Sequence, residues 1–283
     1  MTRRIERFCA EVYSFYQKHG RKTLPWRLNT KPWGVLVSEF MLQQTQIDRV
    51  IPYWQRWLER WPLPEDLCGA PLEDALCEWN GLGYNRRGRA LWECASRICG
   101  EYGGKVPKNP SELIGLPGIG PYSAGAIACF AYNVPSVFIE TNIRAAVLHF
   151  FFAGVEDVRD EEIAGVLDKA LNRENPRLWY WALMDYGAYI KKITPNPNRR
   201  SAHYARQSPF EGSFRQRRSL VLRMLLDKGP ADAARLQRST GIEGAEFFRV
   251  CAALEKDMLL ECKDGLYQIA SGGRNKSRQL AQR

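Results

Sequence analysis

The chain has 283 residues, 45% of them hydrophobic, with 41 Lys and Arg against 31 Asp and Glu for a net charge of +10, and its pI is near 9.3. That length buries a full core and suits two domains, or a lobed domain with an appendage, while the basic balance favours a polyanionic partner. No apolar run reaches membrane-span length and "MTRRIERFCA" lacks a signal-peptide core. The eight cysteines contain no C-x-x-C pair, which argues against a disulfide framework or a cysteine metal site; a cytoplasmic, nucleoid-associated protein with no membrane partner is expected.

Residues 1–190 read as helical. "WGVLVSEFMLQQTQIDRVIPYWQRWLERW" keeps helical apolar spacing, broken at Pro52 and stopped at Pro62, with its tryptophans as packing residues. Within it, Glu39 has Val35, Leu36, Leu42 and Gln43 one turn away. A carboxylate among aliphatics is costly unless paired, and burial lets it hold a proton and donate it. On these residues alone a helix that turns Glu39 to solvent is the stronger reading. Next, "PLEDALCEWNGLGY" and "NRRGRALWECASRICGEY" read as two helices joined at Gly81–Tyr84, and Asn109 suits the cap of another.

"SELIGLPGIGPYSAGAIACF" reads as helix, tight glycine turn, helix. A P-loop would need Lys where Pro121 stands, and the third glycine of a dinucleotide fingerprint is absent. Gly118 and Gly120 would let the backbone of Gly118, Ile119, Gly120 and Ser123 approach a phosphate at a helix N-terminus. That is a helix-hairpin-helix element, which grips a DNA backbone without reading sequence; a glycine turn with no ligand is the alternative. In "PSVFIETNIRAAVLHFF" a β-like run delivers Glu140 to a helix start, where negative charge is favoured. Glu140 is then either a plain N-cap or, with a protonatable Glu39, half of an acid and cation-stabiliser pair.

From Lys191 to Arg218 the chain carries eight Lys or Arg and one acidic residue, among prolines. This reads as a solvated connection whose charge could equally track a nucleic-acid backbone. Three short helices and a hairpin turning at Asp264–Gly265 follow, the winged-helix pattern. Its third helix is rich in acids, so bracing or partner packing is at least as good a reading as base recognition. The resulting division is 1–190, a helical domain of two lobes with a cleft between them; 191–214, a basic proline-rich linker; 215–270, a winged-helix-like domain; and 271–283, a disordered basic tail.

"LPWR", "SEFMLQQTQ", "WNGLGYNRRGRAL", "LPGIGPYSAGAI", "NIRA" and "ALMDYGA" follow one another in an order that resembles the helix-hairpin-helix (HhH-GPD) DNA glycosylases, most closely the adenine DNA glycosylase (MutY) branch, over residues 6 to 190. The fold implied is mostly α, a two-lobed HhH-GPD glycosylase fold, here with the C-terminal winged-helix-like α+β domain. The resemblance implies that Glu39 donates a proton to the departing base and that Glu140 stabilises the oxocarbenium ion. Tyr122 stands where lyase-active relatives similar to endonuclease III carry a Schiff-base Lys, so no or weak lyase activity is implied. Gln43, Gln44 and Tyr84 match residues that fill the duplex or touch the opposite base; Arg27, Thr45 and Asp185 are placed with the base pocket.

Three departures qualify the match. The family's four cluster cysteines are replaced by Lys191, Asn198, Ser201 and Gln207, so no iron–sulfur cluster is expected, and DNA contacts there fall to Arg199, Arg200, His203 and Arg206. Glu140 replaces an Asp, and the winged-helix pattern replaces the β-rich domain that reads 8-oxoguanine. No resident metal is expected beyond a monovalent cation at the helix-hairpin-helix loop. The expected activity is that of a monomeric, monofunctional DNA glycosylase on double-stranded DNA holding a mispaired or damaged base. The first choice is adenine opposite guanine or 8-oxoguanine; alternatives are thymine or uracil opposite guanine, or a non-catalytic lesion-binding or regulatory protein.

Overall fold

The structure, a computed structural model, describes residues 2–205 and 209–272. Its first helices are α1 (Thr2–His19), α2 (Pro25–Leu28), α3 (Pro32–Leu42), α4 (Ile47–Arg60), α5 (Pro64–Gly69), α6 (Leu72–Trp79) and α7 (Arg86–Tyr102). The chain continues through α8 (Pro110–Ile114), α9 (Pro121–Tyr132), α10 (Thr141–Phe151), α11 (Asp160–Ala170) and α12 (Pro176–Ile193), then a 3-10 turn at Pro197–Arg200. It closes with α13 (Phe214–Lys228), β1 (Ala231–Asp232), α14 (Ala233–Thr240), α15 (Gly244–Lys256), β2 (Leu260–Lys263) and β3 (Leu266–Ile269). The fold is therefore mostly α with a small C-terminal antiparallel sheet, in the order β1-β3-β2. The expected basic tail lies, from residue 273 on, outside the described residues. Among the described residues no helix is long and apolar enough to cross a membrane.

Two compact units form, and they do not follow chain order. The first comprises residues 1–39 and 106–206, the second 40–105 and 207–283. The first is held by an aromatic core in which Phe8 of α1 meets Phe151 and Trp179, and Phe138 stacks on Tyr180 with ring centroids 3.9 Å apart. α12 approaches the start of α10 unusually closely at Gly187, where an added Cβ would lie 1.9 Å from the Asn142 carbonyl oxygen. Only glycine fits there. This contact places the N-terminus of α10, and with it Glu140.

In the second unit Trp57 packs edge-on against Trp61 and Trp79, so the tryptophans of α4 are core residues as their spacing suggests. Pro52 does not break α4, because burial of Val50, Trp54 and Trp57 carries the helix through the single missing N–H. The interruption lies instead between α3 and α4, where Gln44 has φ 57°. The turn at Gly81–Tyr84 forms as read, with positive φ at Gly81, Gly83 and Tyr84.

The C-terminal elements share a core with α6. Leu72 and Leu76 pack with Val221, Leu225, Phe247, Val250 and Leu260, with Trp92 of α7 against the same cluster. β2 and β3 pair from Leu260↔Ile269 to Lys263↔Leu266, leaving Asp264 (φ 51°) and Gly265 (φ 78°) as the two-residue turn. Two acids at α15 are engaged by α13: Arg217 pairs with Glu246 at 2.5 Å and Arg218 with Asp257 just past the helix. Leu76→Ala should lower the unfolding free energy by about 2–5 kcal/mol, measured by denaturant titration, because it opens a cavity in the core common to α6 and α13.

Candidate active site

Glu39 lies on α3 and is buried, 6% exposed. The expectation that its helix turns it to solvent is overturned by packing: Val35, Leu36, Val37, Phe40 and Met41 around it are all buried too, so α3 has no solvent face at this level. The hydroxyl of Tyr122, in the first turn of α9, donates to Glu39 Oε2 at 3.2 Å. Burial raises the Glu39 pKa to about 7, with the Tyr122 hydrogen bond pulling it down and the Glu140 charge pushing it up. Burial and the two carboxylates drive the Tyr122 phenol well above its usual range, so it stays a neutral donor.

Glu140 caps α10. Its Oε1 accepts from the backbone N–H of Asn142 (2.7 Å) and Ile143 (2.9 Å), and its Oε2 from Asn142 Nδ2 (3.2 Å) and Thr141 Oγ1 (3.1 Å). The segment before it, expected to be β-like, is extended without strand pairing. Two of its backbone groups meet one side chain: Tyr180 Oη donates to Ser136 O at 2.9 Å and accepts from Phe138 N at 3.4 Å. Glu39 and Glu140 thus differ as the sequence suggests, one carboxyl in an apolar wall and the other held by four donors at a helix N-terminus.

The glycine turn joins α8, capped by Asn109, to α9. Gly118 has φ 77°, and a Cβ at Gly120 would meet nothing within 4 Å, leaving open room for an anion beside the start of α9. Ile119 and Ser123 at this turn are buried.

Arg27 and Asp185 are engaged with each other. Arg27 Nη1 and Nη2 donate to the two Asp185 oxygens at 2.7 and 2.9 Å, and Arg21 adds its Nε at 2.7 Å and its backbone N–H at 2.8 Å. Both side chains of the inner pair are almost fully buried. Burial alone would raise the Asp185 pKa, but the hydrogen bonds and charge of Arg27, with Arg21, hold it below the usual carboxylate range. Arg27 and Asp185, both expected at the base pocket, are thus held in one buried ion pair.

In the second unit, Arg87 is a residue the sequence reading left out. Its guanidinium donates to the carbonyls of Phe40 (2.9 Å), Met41 (3.2 Å), Gln43 and Gly83 (3.1 Å), and to Thr45 Oγ1 at 3.0 Å. It closes the end of α3 and ties the Gln43–Thr45 turn to the Tyr84 turn. Burial lowers its pKa to about 10, still a cation at neutral pH. The signal in sequence was the "NRRGRA" run after the glycine turn, which does not say which arginine turns inward.

The four positions of the family's cluster offer no thiol. Asn198 and Ser201 are buried; Asn198 Nδ2 donates to Thr141 O at 2.9 Å, and Ser201 lies in a parallel bridge with Val158. Asn196 caps the 3-10 turn. Arg200, expected on DNA, donates to Leu148 O near the end of α10 at 2.9 Å and so braces the loop. Arg199 and His203 are exposed, while Arg206 and Gln207 lie outside the described residues. Among the described residues no group of three or more His, Cys, Asp or Glu is arranged to hold a metal ion.

A family model described as HhH-GPD superfamily base excision DNA repair protein matches residues 37–179. The adenine DNA glycosylase of Mycolicibacterium smegmatis is 46% identical over 138 residues, covering 48% of this chain and 47% of that protein. Its Homo sapiens counterpart is 32% identical over 237 residues, 80% of this chain and 42% of that one. The chain spans about half the length of the curated relatives it matches. A thermostable thymine-DNA glycosylase superposes with TM-score 0.62 at 22% identity, covering 69% of this chain and 91% of that one. A non-covalent endonuclease III–DNA complex gives 0.58 at 19%, covering 71% and 98%. At these identities the superpositions speak to fold.

Two outcomes follow for stability. Arg27→Met, which leaves the buried Asp185 carboxylate to Arg21 alone, should cost up to about 3–5 kcal/mol, read by denaturant titration. Glu39 has a folded pKa near 7 against an ordinary 4.5, so the folded state retains a proton that the unfolded chain loses as pH rises between those values. Above pH 7 its full penalty is present. Glu39→Gln should therefore stabilise the protein by up to ~3 kcal/mol at pH 8, with that gain vanishing near pH 4.5, a difference that thermal melts at the two pH values will show.

Proposed function

Because the chain belongs to the HhH-GPD superfamily of base excision DNA repair proteins, we propose that it is a monofunctional DNA N-glycosylase that hydrolyses the N-glycosidic bond of adenine mispaired with guanine or 8-oxoguanine. The observation that carries this reading is the buried Glu39, poised near neutral pH and hydrogen-bonded by Tyr122. Similarity to the adenine DNA glycosylases supports adenine as the base.

In this reading the target nucleotide leaves the stack, and Glu39 gives its proton to a ring nitrogen of the base as the C1′–N bond breaks. The bonding electrons depart with the base, which leaves neutral. Glu140, held at the N-terminus of α10, faces the positive charge that develops on the sugar. Water adds to the sugar carbon and gives up a proton, restoring the protonated Glu39 after turnover. Tyr122 fixes the Glu39 carboxyl and brings no amine, so no imine forms and the product is an abasic site. The glycine turn at Gly118–Gly120 and the exposed Arg199 and His203 supply backbone contacts that carry no sequence information. Double-stranded DNA is the partner, and a monovalent cation at the glycine turn is the one ion the reading includes.

Single-turnover release with excess enzyme tests this on duplexes holding A·8-oxoguanine, A·G, T·G and U·G pairs, followed by hot alkali. Adenine release is expected; release confined to T·G or U·G would overturn the choice of base. Glu39→Gln should slow release by about 10²–10⁴-fold while the duplex is still bound, and parental turnover in that variant would sink the acid role. With an essential acid near pH 7, the parental rate should fall about tenfold for each pH unit above that value.

A further inference from the structure

The contacts around Tyr84 continue into the C-terminal segment. The Arg87 guanidinium lies 5.4 Å from the ring of the buried Trp79 and 5.3 Å from that of Tyr84. Arg215, in the first turn of α13, lies 5.2 Å from the same Tyr84 ring and 6.0 Å from that of Phe210. Arg215 Nη1 also donates to the Tyr84 hydroxyl. Rings and guanidinium groups therefore alternate from the core of this unit to Phe210, which is 52% exposed.

Two further features mark this column as more than packing. Tyr84 is held at φ 51°, a conformation that costs a bulky residue about 1–3 kcal/mol and that surrounding contacts must maintain. Positive groups also lie at the turn: Arg49 donates to Gly81 O, and the Arg86 side chain, 72% exposed, lies 3.5 Å from Asp257 Oδ1. Guanidinium groups beside stacked aromatic rings are the combination that takes a phosphodiester backbone and its bases together. A column serving only to fasten the C-terminal segment would end in buried groups, whereas this one ends in an open phenyl ring and a half-buried guanidinium.

We propose that Arg215 and Phe210 are DNA-contacting residues which the C-terminal segment adds to the Tyr84 turn. Arg215 bonds a backbone phosphate beside the step that Tyr84 enters, and Phe210 stacks on a base there. The ligand class is a DNA strand, and the inference rests on the glycosylase reading only in taking DNA as the partner.

Binding of the full chain to a duplex with a tetrahydrofuran abasic analogue opposite 8-oxoguanine tests it, since that duplex has no base to release. Arg215→Ala should weaken binding about tenfold and reduce the slope of log Kd against log salt by about one, whereas Arg215→Lys should keep the slope. Phe210→Ser should weaken binding by about fivefold or more with the slope unchanged. Affinity within about twofold of the parent at the parental slope, including an Arg215→Ala chain that loses only thermal stability, would make Arg215 a tether and overturn the proposal. Should Arg215→Ala fail to fold, the Lys and Phe210→Ser variants decide. A parent that binds this duplex but releases no base from any of the mispaired duplexes would sink the glycosylase reading and leave the Arg215 slope to settle this inference; a parent that binds no duplex overturns both.

Discussion

A carboxyl group enclosed by aliphatic side chains is the constraint around which the first unit is organised. α3 buries Val35, Leu36 and Val37 on one side of Glu39 and Phe40 and Met41 on the other, and that burial alone disfavours the charged form. The hydrogen bond from Tyr122 keeps the group from being an unsatisfied buried acid. It also fixes the carboxyl without neutralising it, as a guanidinium in the same place would. The site therefore depends on α9 presenting its first turn to α3, and the apolar small-residue run after Tyr122 buries α9 almost completely.

Glu140 illustrates the opposite use of the same chemical group. It serves two orphan N–H groups of α10 and two side-chain donors, so capping and charge placement are one arrangement and not alternatives. Its position depends on Gly187, where α12 meets the Asn142 carbonyl with no room for a Cβ, and on Asn198, which bonds the Thr141 carbonyl. The loop after α12 is thus organised by capping, by the bridge to Val158 and by Arg200 on α10. Hydrogen bonds, one of them from the Arg200 guanidinium, hold this loop.

In the second unit arginine does the equivalent work. Arg87 gathers carbonyls from the end of α3 and from the Gly81–Tyr84 turn, so two loops with residues at positive φ are fixed by one planar cation with several donors. The C-terminal elements join the same body through the core shared by Leu72, Leu76 and the helices of the small sheet. Glu246 of their third helix and Asp257 just past it pair with α13, which favours the bracing role over base reading by that helix.

Local chemistry made much of this legible in the chain: the glycine turn before α9, the Asp264–Gly265 hairpin, the Asn109 cap and the Gly81–Tyr84 joint depend on residues adjacent in sequence. The motif order likewise carried the family. What tertiary structure decided was every question of which way a side chain faces. Periodicity left Glu39 open between core and solvent, and only the packing of α3 on all sides settled it. It could not show that Asp185 and Arg27, 158 residues apart, would spend their charges on each other. Nor could it show that Arg87 would turn inward while Arg86 stays exposed, or that Tyr180 would satisfy an extended segment that looked like a strand. Ion pairs, buried acids and close helix approaches join residues distant in the chain, and their energies depend on desolvation that no local pattern encodes.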